Sequence, residues 1–225
     1  MSAWSNYWKK LEASKDEVSP QVRVGRINNQ VPVSDESWQL TVNKIITMLG
    51  LEPSARILDL AGGNGLFSRN LKMKDGITVC ADLSHSLLLD AQSQSLPTVE
   101  CDLRSIPFAN SCFDAVVLYA ALQYLDENEV MALLGRCREI LVDGGRLFIG
   151  DVPDVNKRFK YFNNDIRRQK YFESLVGPRP MIGTWFANDW IKHCLEFVGF
   201  NNVQILKQSE WEPYKEFRFD VFAQK

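Results

Sequence analysis

The amino-acid sequence predicts an α/β fold, a doubly wound and mostly parallel sheet with helices on both faces. Three observations carry that prediction. Between residues 56 and 150, short apolar runs alternate with stretches of helical periodicity, the rhythm of strands joined by crossover helices. The first run leads straight into a glycine-rich turn, Ala61-Gly62-Gly63-Asn64-Gly65. The chain has 225 residues, 45% hydrophobic and 24% charged, which is one ordinary globular domain and excludes disordered, collagen-like and coiled-coil classes.

Each element follows in order. Trp4, Tyr7, Trp8 and Leu11 share helical spacing, so a short amphipathic helix is expected to open the chain. Residues 16–33 are polar and irregular, punctuated by Pro20, Gly25 and Pro32. Ser34 is placed to cap a helix whose stripe runs through Trp38, Val42, Ile45, Ile46 and Leu49 and which stops at Gly50. Arg56–Leu60 reads as a buried strand, Gly65–Met73 as a helix and Ile77–Ala81 as a strand. Ser84 opens a helix through Leu87, Leu88 and Ala91, and Pro97–Cys101 is a short strand. Phe113–Tyr119 is a strongly apolar strand, Glu127–Leu141 a helix and Arg146–Gly150 a strand. Residues 151–186 break the rhythm: they are charged and aromatic and read as an insertion or lid. A helix over Asn188–Phe197 and strands over Val203–Lys207 and Glu216–Phe222 complete the chain. The expected organisation is one domain: a 1–33 cap, a 34–150 core, the 151–186 lid and a 187–225 C-terminal part.

The chemistry-bearing segment is Ile57-Leu58-Asp59-Leu60-Ala61-Gly62-Gly63-Asn64-Gly65-Leu66-Phe67. Glycine allows positive φ and close backbone approach, and a helix start offers unpaired N–H groups to a nucleotide-like ligand. The dinucleotide pattern GxGxxG is incomplete, because Ser68 stands where its third glycine belongs. Asp82 closes the second strand, about 20 positions beyond the loop, where an acidic residue can accept two ribose hydroxyls. Further on come Cys101-Asp102-Leu103, Ser111-Cys112-Phe113-Asp114 and Leu141-Val142-Asp143-Gly144-Gly145. Each has a plainer alternative: an ordinary tight turn for the loop, a helix-end carboxylate for Asp82, a surface turn for Asp102.

Taken in this order, these segments resemble the class I S-adenosylmethionine-dependent methyltransferases over about residues 55–150. Asp59, Gly63 and Gly65 match the acidic-x-Gly-x-Gly-x-Gly motif; Ala61 departs at its first glycine, and Gly62 stands beside it. The resemblance implies a Rossmann-like, seven-stranded sheet with an antiparallel C-terminal strand. It implies S-adenosylmethionine as cofactor and S-adenosylhomocysteine as product. It also implies a binding set of Asp59, Ala61, Gly62, Gly63, Gly65, Asp82, Leu83, Asp102, Leu103 and Tyr119, with Asp102 on the adenine amino group and the next backbone N–H on the ring. Trp4–Trp8, Gln21–Arg26 and Arg218-Phe219-Asp220 resemble methyltransferases of surface-polysaccharide and small-molecule biosynthesis. The family's Asn/Asp-Pro-Pro-aromatic motif for amino acceptors is absent after Tyr119, which implies a small-molecule acceptor and no nucleic acid.

Several observations bound the partners. A net charge of −2 supplies no global basic field. The five cysteines form no CxxC pair, so a reducing cytoplasm, no disulfide frame and no metal are expected. The opening residues show no apolar signal core, and no run is long enough for a membrane span; the expected location is cytoplasmic and away from membranes. On the acceptor side the candidates are Tyr119, Gln123, Asp151 and His193 for catalysis, and Arg26, Tyr124 and Trp185 for substrate contact. The basic cluster Lys157–Lys170 meets an acidic acceptor or is a solvated face. The alternative readings are a nicotinamide-dependent oxidoreductase and a cofactor-binding regulator without catalysis.

Overall fold

The computed structural model describes residues 6–8, 19–28, 31–71, 75–176 and 183–225. Seven strands form one sheet: β3 (Arg56–Leu60), β4 (Ile77–Asp82), β5 (Thr98–Glu100), β6 (Phe113–Tyr119), β7 (Leu141–Pro153), β8 (Asn201–Lys207) and β9 (Arg218–Gln224). Their order is β5-β4-β3-β6-β7-β9-β8. β9 runs antiparallel to both neighbours and the other pairs are parallel. This is the Rossmann-like arrangement of class I methyltransferases, with the antiparallel strand near the C-terminus. A two-stranded ribbon, β1 (Ile27–Asn28) and β2 (Val31–Pro32), follows a one-turn helix α1 (Pro20–Arg23) in the N-terminal segment.

The core is two-sided because strand side chains alternate between faces. Ile57, Ala115, Val117 and Phe148 face α2 (Asp35–Leu49), whose Trp38, Val42, Ile45 and Leu49 are buried against them. Leu58, Val116, Leu118, Leu147 and Ile149 face the other way. They meet Leu133, Leu134 and Cys137 of α4 (Glu127–Ile140) and Ile191 and Leu195 of α7 (Asn188–Phe197). The expected caps of α2 are present: Ser34 accepts from the Ser37 N–H at 3.1 Å, and Gly50 is left-handed at φ 48°. α4 starts with a capping box between Asp126 and Glu129. In α3 (His85–Ser93) the Ser84 hydroxyl makes no capping bond and contacts the Ser86 hydroxyl instead.

Three expectations are corrected. No α-helix spans Gly65–Met73: turns lead to a single 3₁₀ turn, Ser68–Asn70, and residues 72–74 lie outside the described set. The reason is Asp59, whose Oδ2 takes both the Ser68 N–H (3.2 Å) and the Ser68 hydroxyl (2.6 Å). Residues 142–145 do not separate a helix from a strand. Leu141 already pairs with Phe113 and Arg146 with Ala115, so the glycines form a bulge inside β7. Asp151 also belongs to β7, which continues to Pro153 opposite Arg218. The insertion therefore begins after β7 and contains α5 (Arg158–Tyr161) and α6 (Asp165–Val176). Of the expected first helix only residues 6–8 are described, and they are helical.

Candidate active site

The chain leaves β3 for β4 on one side and later crosses to β6 on the other. That reversal opens a crevice at the carboxyl ends of the strands, where such sheets bind ligands. A cavity of about 120 Å³ lies there.

The glycine loop forms one wall. Ala61, Gly63 and Gly65 are left-handed, with φ of 57°, 56° and 74°. The loop is pinned by Gly62 N–H to the Ala81 carbonyl (3.0 Å) and Gly63 N–H to Asp82 Oδ2 (2.8 Å). Asp82 Oδ1 accepts the Ser84 N–H at 2.8 Å. Each Asp82 oxygen thus holds one backbone donor and keeps a lone pair. Burial raises its pKa against those bonds. Gly62 is required for packing, because a Cβ there would stand 2.7 Å from both the Asp59 carboxylate and Cys80 Sγ. Burial lifts Asp59 to about 6, opposed by its Ser68 bonds.

Ala61, Gly62, Gly63, Asp59, Asp82, Leu83, Asp102, Leu103 and Tyr119 all line the cavity. Gly65 does not; a Cβ there would meet Leu96 and Ala91 of the α3 region, so its place is in packing. Asp102 Oδ1 accepts from the Arg104 N–H and guanidinium, both at 3.0 Å, and Arg104 also reaches Glu129.

The opposite end is aromatic and cationic. The Arg26 guanidinium lies 3.6 Å from the Trp38 ring centroid and 4.5 Å from that of Tyr119. Arg26 is 9% exposed, its Nε has no hydrogen-bond partner, and no carboxylate pairs with it among the described residues. Asn64 donates to the Pro20 carbonyl at 3.0 Å, and its Oδ1 is buried without a partner. Trp8 meets Tyr124 edge-on at 5.6 Å, and both line the cavity. Burial raises Tyr124 to about 12 and Tyr119 well above its ordinary value. Arg23 points elsewhere and pairs with Asp90.

The remaining candidates are not in the cavity wall. Gln123 donates to the Ala120 carbonyl (2.8 Å) and accepts from Arg218 (3.3 Å). Asp151 is buried in a second bulge of β7, between Ile149 and Val152, its carboxylate held by Gln208 (3.0 Å) and Arg218 (3.5 Å). Trp185 packs with Tyr161, Phe162 and Phe217. His193 is exposed on α7 beside Glu196 at 3.3 Å, away from the cavity. Behind the site, Lys44 bridges the buried carboxylates of Glu212 (2.7 Å) and Asp220 (2.6 Å). Sequence reasoning missed Trp38 as an arginine platform, Asn64, and this ionic cluster. Asn64, inside the glycine loop, was the one with a local signal. Among the described residues no group of three His, Cys, Asp or Glu side chains is arranged to hold a metal, and no helix is long and apolar enough to cross a membrane.

Residues 57–145 match the methyltransferase domain family. A demethylmenaquinone methyltransferase of Mycobacterium sp. (strain KMS) is 32% identical over 124 residues, 55% of this chain and 52% of its own length. The chain thus spans about half the length of the curated relatives it matches. The solved S-adenosylmethionine-dependent methyltransferase of Archaeoglobus fulgidus has a TM-score of 0.63 at 16% identity, over 85% of this chain and 95% of its own. Human N-acetylserotonin methyltransferase, solved in complex with S-adenosylmethionine, has a TM-score of 0.58 at 16% identity, over 84% of this chain and 53% of its own.

Proposed function

We propose, for a chain that belongs to the class I S-adenosylmethionine-dependent methyltransferases, transfer of a methyl group from S-adenosylmethionine to a small-molecule acceptor. The observation that carries this reading is a pair of orphaned polar atoms. Arg26 Nε and Asn64 Oδ1 are buried, unpartnered and in the wall of the crevice that holds Asp82. A buried donor and a buried acceptor without partners are costly, and an amino-acid terminus satisfies both. Arg26 is assigned to the carboxylate, Asn64 to the ammonium, Asp82 to the ribose hydroxyls, and Asp102 with Leu103 to the adenine edge. When bound, the cofactor supplies a methyl group already activated on a sulfonium, so the protein's main task is positioning.

The acceptor is read from the far end. Trp8, Tyr119 and Tyr124 give it aromatic walls, suited to a flat apolar ring. Both phenols have raised pKa values and stay protonated at neutral pH. They donate to an acceptor oxygen rather than remove its proton. That favours an acceptor acidic enough to ionise by itself, such as a phenol or enol, over a sugar hydroxyl. The curated relatives' name, demethylmenaquinone methyltransferase, agrees with an unsaturated ring. The N-terminal segment supplies Trp8, Val24 and Arg26 to the wall, which supports its role as a cap. The odd number of cysteines and the lack of a CxxC pair support a reducing, cytoplasmic setting.

The test is a thermal shift with S-adenosylhomocysteine and with NADH, followed by a radiolabelled methyl-transfer screen of phenols, enols, sugars and amines. Stabilisation by S-adenosylhomocysteine alone, weakened at least about tenfold in affinity by Arg26→Gln, is the expected result. Stabilisation by NADH alone overturns the reading in favour of an oxidoreductase.

A further inference from the structure

Of the large hydrophobic side chains that stand exposed among the described residues, five fall in one short stretch: Phe159, Ile166, Phe172, Leu175 and Val176, between 53% and 89% exposed. α6 already has an inward face. Arg167, Tyr171 and Ser174 share it, with the Tyr171 ring 4.8 Å from Phe162 and 5.8 Å from Phe159. Phe172, Leu175 and Val176 lie at i, i+3 and i+4, so they form a separate stripe with Arg168 one turn before it. Clustered exposed apolar groups of this kind mark an interaction surface.

The charge of the same stretch says what it meets. Residues 155–176 hold six basic side chains (Lys157, Arg158, Lys160, Arg167, Arg168, Lys170) and two acidic ones (Asp165, Glu173). That is a surplus of four in a chain of net charge −2, so the rest of the molecule carries −6. The neighbouring carboxylates are at the surface: Asp165 with Arg168 (2.7 Å), Glu216 with Lys160 (3.3 Å), while Glu173 accepts from Gln169 (2.7 Å). Exposed pairs of this sort are weak and exchange readily. Asp154 is buried, and its partner Lys157 is half-exposed. Among the described residues Lys170 has no carboxylate partner.

We infer that residues 155–176 dock on the surface of an anionic phospholipid bilayer. Phe172, Leu175 and Val176 enter the boundary between headgroups and acyl chains, Arg168 beside the stripe meets the phosphates, and Lys160 and Lys170, the latter on the opposite face of α6, add to the attraction through the local field. Apolar side chains interleaved with basic ones are what an interfacial helix requires. A nucleic acid would neutralise the charges and leave the apolar stripe in water. A second copy of this chain would bring one basic face against another in a two-fold contact. That no described helix is long and apolar enough to cross a membrane is no obstacle, since the contact is peripheral. The surface adjoins the acceptor side of the crevice: Tyr161 of α5 packs on Trp185 at 6.0 Å, and the Thr184 N–H donates to the Gln123 carbonyl at 2.8 Å, next to Tyr124. The docking claim does not depend on the identity of the acceptor.

The test is co-sedimentation of the full chain with vesicles of phosphatidylcholine alone or mixed with phosphatidylglycerol, at low and raised salt. Two surface variants accompany it, Phe172→Ser with Val176→Ser, and Arg168→Glu with Lys170→Glu. Binding should require phosphatidylglycerol and fall with salt. Each double variant should lower partitioning by at least about tenfold, with unchanged circular dichroism and S-adenosylhomocysteine affinity. No binding to the mixed vesicles, or equal binding by wild type and variants, overturns the proposal. So does a wild-type dimer, seen by analytical ultracentrifugation, that the apolar variant dissolves, or tight RNA binding that the charge variant alone abolishes. Loss of S-adenosylhomocysteine binding with vesicle binding intact would count against the methyltransferase reading and leave this one standing.

Discussion

Replacing Asp82 with alanine separates a ligand contact from a scaffold contact. Its carboxylate is 9% exposed, and each oxygen holds one backbone N–H at 2.8 Å. Asp82 lines the crevice, where its remaining lone pairs can accept the two ribose hydroxyls. A hydrogen bond to a charged group contributes about 1.5–3 kcal/mol, so losing that interaction should weaken S-adenosylhomocysteine binding about 10- to 150-fold. Alanine also orphans the Gly63 and Ser84 donors, which lowers stability without involving the ligand. A cycle with the 2′-deoxy analogue of S-adenosylhomocysteine, read by isothermal titration calorimetry, divides the two effects. Wild type should prefer the ribose form by about tenfold or more, and Asp82→Ala should lose nearly all of that preference. A folded variant that still discriminates as sharply as wild type would refute the assignment.

Three further outcomes follow from the same geometry. Burial raises Asp59 from 3.8 to about 6, so the folded protein keeps a proton that the unfolded chain has released. The stability Asp59 contributes is full below about pH 4 and falls by about 3 kcal/mol as the pH rises through 6; in urea melts Asp59→Asn should gain that much on wild type between those limits, and a pH-independent difference contradicts the argument. Gly62→Ala puts a methyl 2.7 Å from the Asp59 carboxylate and Cys80 Sγ; it should cost about 1–3 kcal/mol, part of it recovered by adding Cys80→Ala, and a variant with wild-type Tm would show that the loop yields freely. Lys44→Met leaves the buried Glu212 and Asp220 carboxylates facing each other without their cation; a loss of about 3–5 kcal/mol is expected in denaturant, and a neutral result would mean that Gln208 and the backbone suffice.

The centre of the sheet was legible because its strands are apolar runs buried on both faces, and such runs stand out between helical periodicities. The glycine-loop end of the crevice was legible for a local reason: Asp59, the glycines and Asp82 lie on two consecutive strand ends, within 24 residues of chain. The rest of the crevice, and what lies behind it, joins residues that sequence proximity cannot connect. Arg26 lies against the Trp38 and Tyr119 rings, and Lys44 reaches Glu212 and Asp220 across the β8–β9 end of the sheet. The same limit explains the misplaced helix after Gly65. The residues there suit a helix, but Asp59 nine positions earlier claims the Ser68 donors and tertiary bonding overrides propensity.

The crevice edge shows why small residues mattered there more than the glycine count did. Ala61 and Ala120 follow the carboxyl ends of the neighbouring strands β3 and β6, and Asp151 sits in the bulge of β7 between Ile149 and Val152, all left-handed, at φ of 57°, 57° and 62°. For a residue with a Cβ that conformation costs about 1–2 kcal/mol, so each must be held by its surroundings. The holders are visible: the Ala81 carbonyl takes the N–H that follows Ala61, the Gly150 carbonyl takes that of Ala120, and Asp220 takes that of Asp151. Two adjacent strands therefore turn sharply at the edge where the crevice opens, and the third bulges beside them. Asp220, which fixes the bulge, is itself fixed by Lys44 at 2.6 Å. The buried ionic cluster behind the site thus braces the bulge of β7, next to the Gly150 carbonyl that holds Ala120.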